Sequence, residues 1–205
     1  MMKLLALLSG GIDSPAAIYL MQKQGCEVAA AYFDNGSFSG ESVKKRALEC
    51  ARILGIKELY VIPQGPSLEE FAKSCNRRYG CLFCKRMMLR VAEKLARRIG
   101  AEALLTGDSL GQVASQTPEN LAVENSAVKI PVLRPLIGFN KEETIEVARK
   151  AGTFSTSIQP ATCCTMVPKK PSTRAGIAEM EAEEAKLDIS ALVEAEFKGA
   201  KRALP

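Results

Sequence analysis

Histidine is absent from the 205 residues of this chain, and its absence narrows the chemistry available. Catalytic triads that use histidine and metal sites ligated by histidine are both excluded. Catalysis must therefore depend on cysteine, lysine, aspartate, serine and backbone groups. The sequence also contains no apolar run long enough to span a bilayer and no cleavage pattern of a signal peptide. We expect a cytosolic protein with no membrane partner.

Composition bounds the architecture and the compartment. A chain of 205 residues, 47% of them hydrophobic, suits one medium domain with a packed core. Its cysteines number seven, and in a reducing compartment an odd count favours thiols, metal ligands or sulfur carriers over disulfides. A formal charge of +5 is compatible with a phosphate-rich partner but does not require one.

Apolar segments and helical patterns alternate along the chain. The segments that indicate strands are 3–8, 27–33, 58–62, 103–106 and 132–136. The helical patterns, each ending near a glycine, are 14–24, 41–54, 85–99 and 141–151. This alternation predicts an α/β fold, a doubly wound parallel sheet of about five strands with helices on both faces. Helical patterns over 174–186 and 190–201 predict a tail that packs on the sheet edge or contacts a partner.

The most informative motif is Ser-Gly-Gly-Ile-Asp-Ser at residues 9–14, which follows a strand pattern and precedes a helical one. Paired glycines let the backbone approach a ligand, and the helix start offers free N–H groups to an anion. Neither the lysine-bearing P-loop nor the GxGxxG fingerprint is present. The motif instead resembles the PP-loop of enzymes that cleave ATP between its α- and β-phosphates. The alternative is an ordinary turn capped by Asp13 or Ser14.

Two other loops follow predicted strands, where ligands of a doubly wound sheet bind. One begins with Tyr32 and Phe33 and continues through residue 36, and the other runs from 106 through 112 towards Gln116. We expect both on the nucleotide side of the sheet. Solvated loops are the alternative interpretation.

Cys81 and Cys84 form a C-x-x-C pattern directly before Lys85 and Arg86, at the start of a helical pattern. The helix dipole and the two cations are expected to favour the thiolate form. Such a pair can be redox-active, half of a zinc site, or two ligands of an iron–sulfur cluster.

Further metal ligands could come only from cysteines or carboxylates, and Cys163 and Cys164 are the obvious candidates. Three cysteines around a 4Fe–4S cluster would leave one iron open to hold sulfide, whereas four would complete a zinc site. Reduced thiols without metal are the third alternative. The remaining cysteines, Cys26, Cys50 and Cys75, are expected in the core.

Several segments together resemble one enzyme family. They are SGGIDSP, KRMMLRVAEKLA, TGDSLGQVASQT, PLIGFNKEETIEVARKAGT and the late Cys164 ahead of residues 168–173. In this order, over residues 3–175, they are similar to the PP-loop domain of ThiI-type tRNA 4-thiouridine synthetases. The resemblance implies a PP-loop domain over 1–175 and a helical extension over 176–205. Enzymes of this type adenylate the 4-oxo group of a uridine in tRNA, release pyrophosphate and then replace AMP with sulfur.

The resemblance also implies roles for particular residues. Those implied to bind ATP and Mg²⁺ are Ser9, Gly10, Gly11, Asp13, Ser14, Gly107, Asp108, Gln112 and Gln116, beside the strand-end pair Tyr32 and Phe33. Those implied in catalysis are Asp13 as the acidic residue, Lys141 in nucleotide activation and Cys164 in sulfur handling. Those implied as ligands of a 4Fe–4S cluster are Cys81, Cys84 and Cys164, and the family pattern favours Cys164 over Cys163.

The sequence departs from the family in having no ferredoxin-like, THUMP or rhodanese pattern. We therefore expect tRNA binding that is weak or supplied by a partner protein, and the chain is compatible with a homodimer. The sulfur donor is not indicated. One alternative is a PP-loop enzyme that delivers sulfur to a small molecule, such as the thiazole of thiamine. The other is a nucleotide- or metal-binding subunit without turnover.

Overall fold

The computed structural model describes residues 1–161 and 164–203. Its sheet has strands β1 Lys3–Leu8, β2 Glu27–Asp34, β3 Leu59–Pro63, β4 Ala103–Leu105, β5 Val132–Leu133 and β6 Lys201–Ala203. They lie in the order β5-β4-β1-β2-β3-β6, and all neighbours are parallel except β3 and β6. The connections between the parallel strands are made largely by helices, as parallel strands require.

The helices of the described residues are α1 Asp13–Lys23, α2 Glu41–Ile53, α3 Gly65–Ser74, α4 Gly80–Ile99, α5 Pro118–Asn125, α6 Lys141–Lys150, α7 Phe154–Ser157, α8 Ile177–Glu184 and α9 Ile189–Gly199. Short 3₁₀ turns cover Gly36–Phe38 and Arg77–Tyr79. Among the residues described, no helix combines the length and apolarity needed to cross a membrane.

Alternate side chains of the strands supply the two faces of the sheet. In β1, Leu4, Ala6 and Leu8 pack with α1, α2 and α6, whereas Leu5 packs with α4 and α9 on the opposite face. Each face buries its side chains under helices, as the near-continuous apolar strands require. The predicted doubly wound α/β fold is thereby confirmed.

The strand order reverses beside β1. The chain passes from β1 to β2 and β3 in one direction and then returns to place β4 and β5 on the other side of β1. The loops after β1 and β4 therefore diverge and leave a crevice at the carboxyl edge of the sheet. This crevice holds residues 9–14 and 106–117.

The carboxyl-terminal segment packs on the sheet, as predicted. Strand β6 pairs with β3 at the edge, and α9 packs against α4 and β3. Helix α8 is joined to α4 by the carboxylate of Glu184, which accepts paired hydrogen bonds at 2.8 Å from the fully buried Arg86. Such a bidentate pair fixes direction as well as distance.

One buried acid on α9 has no such partner. Glu196 is 4% exposed and neither carboxylate oxygen has a hydrogen bond. The neighbouring Ser67 hydroxyl donates to the Gln64 carbonyl instead, at 3.0 Å. Burial accordingly raises the pKa of Glu196 to about 7.

Glu196→Gln is expected to stabilise the protein more at pH 8 than at pH 5. The folded state keeps the Glu196 proton up to about pH 7, whereas the unfolded chain loses it near the ordinary pKa of 4.5. Wild-type stability should therefore fall as the pH rises through this window, by up to roughly 3 kcal/mol. Urea unfolding at both pH values measures the change. The exposed Glu181→Gln is the control, and a pH-independent difference for Glu196→Gln would contradict the assignment.

Candidate active site

The loop after β1 is folded by its own serines. The Ser9 amide donates to Ser14 Oγ at 2.8 Å, the two hydroxyls lie 2.9 Å apart, and the Gly11 amide donates to Ser9 Oγ at 3.2 Å. Helix α1 begins at Asp13, and its N-cap Ile12 supplies no side-chain hydrogen bond. Neither Asp13 nor Ser14 acts as the cap. The start of α1 therefore presents backbone N–H groups to the crevice, as anion sites do.

Glycine is required at two points of the crevice by close packing. A Cβ at Gly10 would lie 2.7 Å from Val43 O, and a Cβ at Gly107 would lie 2.5 Å from Ser14 N. The β4 loop thus contacts the backbone at the start of α1 directly. This contact fixes the distance between the two loops that border the crevice.

The side chains of Asp13 and Lys141 meet beside the loop after β1. Lys141 is the first residue of α6, whose capping box joins Asn140 and Glu143 through hydrogen bonds of 2.9 and 2.7 Å. The Lys141 ammonium lies 2.7 Å from Asp13 Oδ1, and both side chains stay partly exposed. The structure therefore brings together two predicted catalytic residues that are far apart in the sequence.

Three adjoining cavities open on the carboxyl edge of the sheet. The β4 cavity, about 210 Å³, is lined by Ser9, Ser14, Lys85, Asp108, Gln116 and Arg134. The β2 cavity, about 310 Å³, is lined by Leu8, Ser9, Tyr32, Phe33, Arg46 and Cys164. The cysteine cavity, about 410 Å³, is lined by Cys81, Cys84, Lys85, Cys164, Met166 and Val167. Met88 lines all three.

Asp108 is the centre of a buried ionic network in the β4 cavity. It accepts hydrogen bonds from Lys85 Nζ at 2.8 Å, Thr106 Oγ1 at 2.8 Å and Arg134 Nε at 3.2 Å. Burial alone would raise the pKa of Asp108, but Lys85, Thr106 and Arg134 outweigh it and lower the pKa to about 2. Asp108 is therefore a carboxylate that can only accept hydrogen bonds.

Glu124 lies in the same ionic network, but its pKa is shifted in the opposite direction from that of Asp108. Its carboxylate is 3.2 Å from Lys85 Nζ and 3.8 Å from Arg134 Nη2, yet it is 1% exposed. Burial raises the pKa of Glu124 to about 7, although Lys85 works against it. The Lys85 ammonium is shared by both acids, which together overcome its burial and raise its pKa.

Of the other residues predicted on the nucleotide side, some line the cavities and one does not. Tyr32 and Phe33 line the β2 cavity, and burial raises the pKa of Tyr32 to about 12, so this phenol stays protonated. Gln116 faces the β4 cavity. Gln112 is turned away from it, because its amide donates to Ser109 Oγ at 3.1 Å and to the Phe139 carbonyl at 3.4 Å.

Cys164 reaches the crevice from the carboxyl-terminal half of the chain. The amide of Thr165 donates to the Phe38 carbonyl at 3.0 Å, and Asn35 Nδ2 lies 3.8 Å from Cys164 Sγ. Both contacts tie Cys164 to the loop after β2. Cys164 therefore lines the cysteine cavity and the β2 cavity together, while Cys163 lies outside the described residues.

The expected thiolate character of Cys81 and Cys84 is wrong. Burial raises the pKa of the Cys81 thiol and that of the Cys84 thiol, and nearby cysteines add to the effect. The cations named as their activators are paired elsewhere, Lys85 with Asp108 and Arg86 with Glu184. Of the cysteines expected in the core, Cys50 is fully buried, and Cys26 and Cys75 pack partly buried against apolar clusters.

The arrangement of the cysteine thiols can be compared with what a zinc ion and a 4Fe–4S cluster each require. In residues 1–161 and 164–203, no three cysteine, aspartate or glutamate side chains converge closely enough to hold one metal ion. The thiols of Cys81, Cys84 and Cys164 instead surround one cavity. An all-thiol donor set spread around a cavity suits a cluster better than a single zinc ion.

Two residues of the ionic network were missed by the sequence analysis. Arg134 directly follows β5, so the rule that ligands meet strand ends could have found it. Glu124 gave no such signal, because it lies on α5, a helix that the sequence pattern did not predict.

An open parallel sheet with a glycine loop at its reversal point defines the class of α/β nucleotide-binding proteins. A family model described as "Thiamine biosynthesis protein (ThiI)" matches residues 2–189. The chain therefore belongs to the ThiI family, as the sequence motifs predicted.

Curated relatives and one solved structure match nearly the whole chain. A "Probable tRNA sulfurtransferase" of Methanosarcina mazei is 41% identical over 205 residues, covering 97% of this chain and 51% of the relative. One of Finegoldia magna is 43% identical over 196 residues, covering 93% and 50%. A crystal structure of a 4-thiouridine synthetase–RNA complex with bound ATP has a TM-score of 0.93 and 36% identity, covering 98% of this chain and 55% of that one. The chain thus spans about half the length of these relatives.

Gly107→Ala is expected to lower the free energy of unfolding by about 1–3 kcal/mol, because the added methyl group would overlap the backbone of Asp13 and Ser14. Urea denaturation measures the loss. Gly138→Ala is the matched control, since a Cβ there meets nothing within 4 Å. Equal stability of the two variants would show that the β4 loop is not held against α1.

Proposed function

We propose that this chain is the ATP-dependent catalytic unit of a tRNA sulfurtransferase that forms 4-thiouridine. It adenylates the 4-oxo group of a uridine, releases pyrophosphate and replaces AMP with sulfur. The observation that carries the proposal is the shared wall between the nucleotide and sulfur sites. Ser9 joins the β4 and β2 cavities, Cys164 joins the β2 and cysteine cavities, and Lys85 joins the cysteine and β4 cavities.

ATP is proposed to bind across the loop after β1. The Ser9, Gly10 and Gly11 backbone and the start of α1 hold the phosphates, and the aromatic wall of the β2 cavity receives the adenine. Asp13 supplies a carboxylate oxygen to Mg²⁺, a ligand type that this ion prefers. Lys141, now paired with Asp13 at 2.7 Å, stands where it can contact phosphate oxygens.

Sulfur is proposed to be handled in the cysteine cavity. Cys81, Cys84 and Cys164 would hold a 4Fe–4S cluster there, and that cluster would supply an iron with an open position for sulfide. The chain surrounds the thiols with apolar walls from Met88, Met166 and neighbouring residues, which limit access of water. Since the cysteine cavity shares Cys164 with the β2 cavity and Lys85 with the β4 cavity, the sulfur and the activated substrate stay within one crevice.

RNA is the proposed partner. The curated relatives are named as tRNA sulfurtransferases and the solved structure contains RNA, which supports this proposal. A net charge of +5 gives the chain only a modest attraction for phosphates. Binding by this chain alone is therefore expected to be weak and sensitive to salt. A homodimer and a cytosolic location remain predictions.

A small-molecule acceptor is the second candidate, because the family description names thiamine biosynthesis. Incubation with ATP, sulfide and unmodified tRNA, followed by mass spectrometry of the nucleosides, separates the two, since only the first yields 4-thiouridine. A subunit without turnover is disfavoured by the Asp13–Lys141 pair at the loop.

Chromatography of the nucleotide products is expected to show AMP and pyrophosphate, formed from ATP only when an acceptor is present. Asp13→Asn should lower turnover at least a hundredfold and leave the melting temperature unchanged, because a partly exposed carboxylate serves the ligand rather than the core. The control is Glu142→Gln, which removes the charge of an exposed side chain next to Lys141. ADP as the main product, or full turnover by Asp13→Asn, would overturn the assignment of the loop.

Anaerobically purified protein is expected to be brown and to contain about four irons per chain. Cys81→Ser, Cys84→Ser and Cys164→Ser should each lose iron and sulfur transfer. Adenylation should persist, because the hydrogen bonds of the Cys84 and Cys164 thiols go to Gln64, Met88 and Asn35 rather than to the loop after β1. Cys26→Ser, which alters a thiol packed in the core, is the control. Zinc without iron, or full sulfur transfer by the Cys81/Cys84 double variant, would contradict the cluster.

A further inference from the structure

Three polar atoms of residues that line the β4 cavity are buried without a hydrogen bond. Glu124 Oε1 lies 3.2 Å from Lys85 Nζ as an ionic partner. The other two are Gln116 Oε1, an acceptor, and Arg134 Nη2, a donor. Gln116 is 7% exposed, the Arg134 side chain is 10% exposed, and both line the cavity. A buried polar group without a partner costs stability, so such a pair in a cavity points to a ligand that completes it.

The orientation of Gln116 is fixed by Asp108. Gln116 Nε2 lies 3.5 Å from Asp108 Oδ1, and Asp108 remains a carboxylate because of its Lys85 and Arg134 partners. Turning the amide over would place two acceptor oxygens against each other. The Gln116 oxygen is therefore left as an acceptor without a hydrogen-bond partner, in a residue that lines the cavity.

Arg134 is held on the other oxygen of the same carboxylate. Its Nε donates to Asp108 Oδ2 at 3.2 Å, while its Nη2 lies 3.8 Å from Glu124 Oε2, beyond hydrogen-bond distance. The guanidinium is planar and can only donate. Asp108 thus holds one residue with a free donor and one with a free acceptor, each on a different carboxylate oxygen.

We propose that Arg134 and Gln116 form the specificity site for the target base. Arg134 Nη2 donates to the 4-oxo group of uracil, and Gln116 Oε1 accepts its N3–H. This inference rests on the proposed function, and it moves Gln116 from ATP, where the family resemblance placed it, to the acceptor. Neighbouring carbonyl and N–H groups are what the 4-oxo edge of uracil offers.

Adenine also offers an acceptor, N1, beside a donor, the N6 amino group, but the β4 cavity favours uracil. Its volume of about 210 Å³ suits one ring, and the aromatic-walled β2 cavity of about 310 Å³ is the larger place for a purine. The positive charge of Arg134 favours a base that gains negative charge at the contact. Uracil does so at O4 when its N3 proton is lost, whereas adenine does not.

The test compares three RNA hexamers that carry the same phosphates, made of uridine, 4-deoxyuridine or 3-methyluridine. Competition against labelled hexauridine at one salt concentration gives two affinity ratios. Wild-type protein should prefer uridine to each analogue at least fivefold. Arg134→Lys should reduce the preference over 4-deoxyuridine, which lacks both the 4-oxo group and the N3 proton. Gln116→Met should abolish the preference over 3-methyluridine, because it removes the acceptor of the N3–H group. Arg134→Met is the second variant at Arg134.

A merely structural role would lower affinity for all three hexamers and leave both ratios unchanged, and that result would overturn the inference. A loss of ATP affinity matching the loss of hexauridine affinity would also overturn it, by assigning the pair to the nucleotide. Arg97→Met, an exposed cation on α4, should keep both ratios. These ratios are binding measurements, so they stand apart from ATP cleavage, whose absence in wild-type protein with RNA would instead overturn the proposed function.

Discussion

The hydrogen bond of 2.8 Å between Lys85 and Asp108 is the interaction on which the rest of the site depends. It joins α4, which carries the C-x-x-C pair, to the loop after β4, which contacts the start of α1. Asp108 in turn positions Gln116 and Arg134, and Lys85 neutralises part of Glu124. Loss of either partner would leave a buried charge with one ionic partner fewer, since Lys85 would keep only Glu124 and Asp108 only Arg134. Such a loss is more costly than that of an exposed ion pair.

This network separates two kinds of chemistry that share one crevice. On one side, backbone N–H groups and small residues suit an anionic nucleotide, and on the other an apolar cavity holds buried, protonated thiols. The charged side chains of the network lie between these two regions and form ion pairs with one another. Burial, with the neighbouring Cys164 and Cys81, keeps the pKa of the Cys84 thiol raised, although Lys85 directly follows it and acts to lower it. Position in the sequence and electrostatic contact are different properties.

Much of the fold was predictable because its signals are local. The β1 pattern gave the strand limits Lys3–Leu8, and the glycine after it identified the crevice loop. The missed elements lack local signals: β6 is three residues of an exposed edge, and α3 begins with glycine and proline. The roles of Asp13 and Lys141 followed from family resemblance, but their contact was not predicted, since no spacing rule links residues on separate helices. The sequence did not identify Arg134 and Glu124 as site residues, because their role depends on burial and on their contact with each other in the folded chain.

Met88 gives the crevice a property that none of its cavities has alone. Because this one flexible side chain is part of three walls, its rotamer is a variable that all three cavities share. A molecule that restricts the rotamer from one side changes the free energy of occupying the other two. Thermodynamic linkage makes such effects equal in both directions. The thioether of Met88 thus couples the cavities energetically without a hinge or a moving domain.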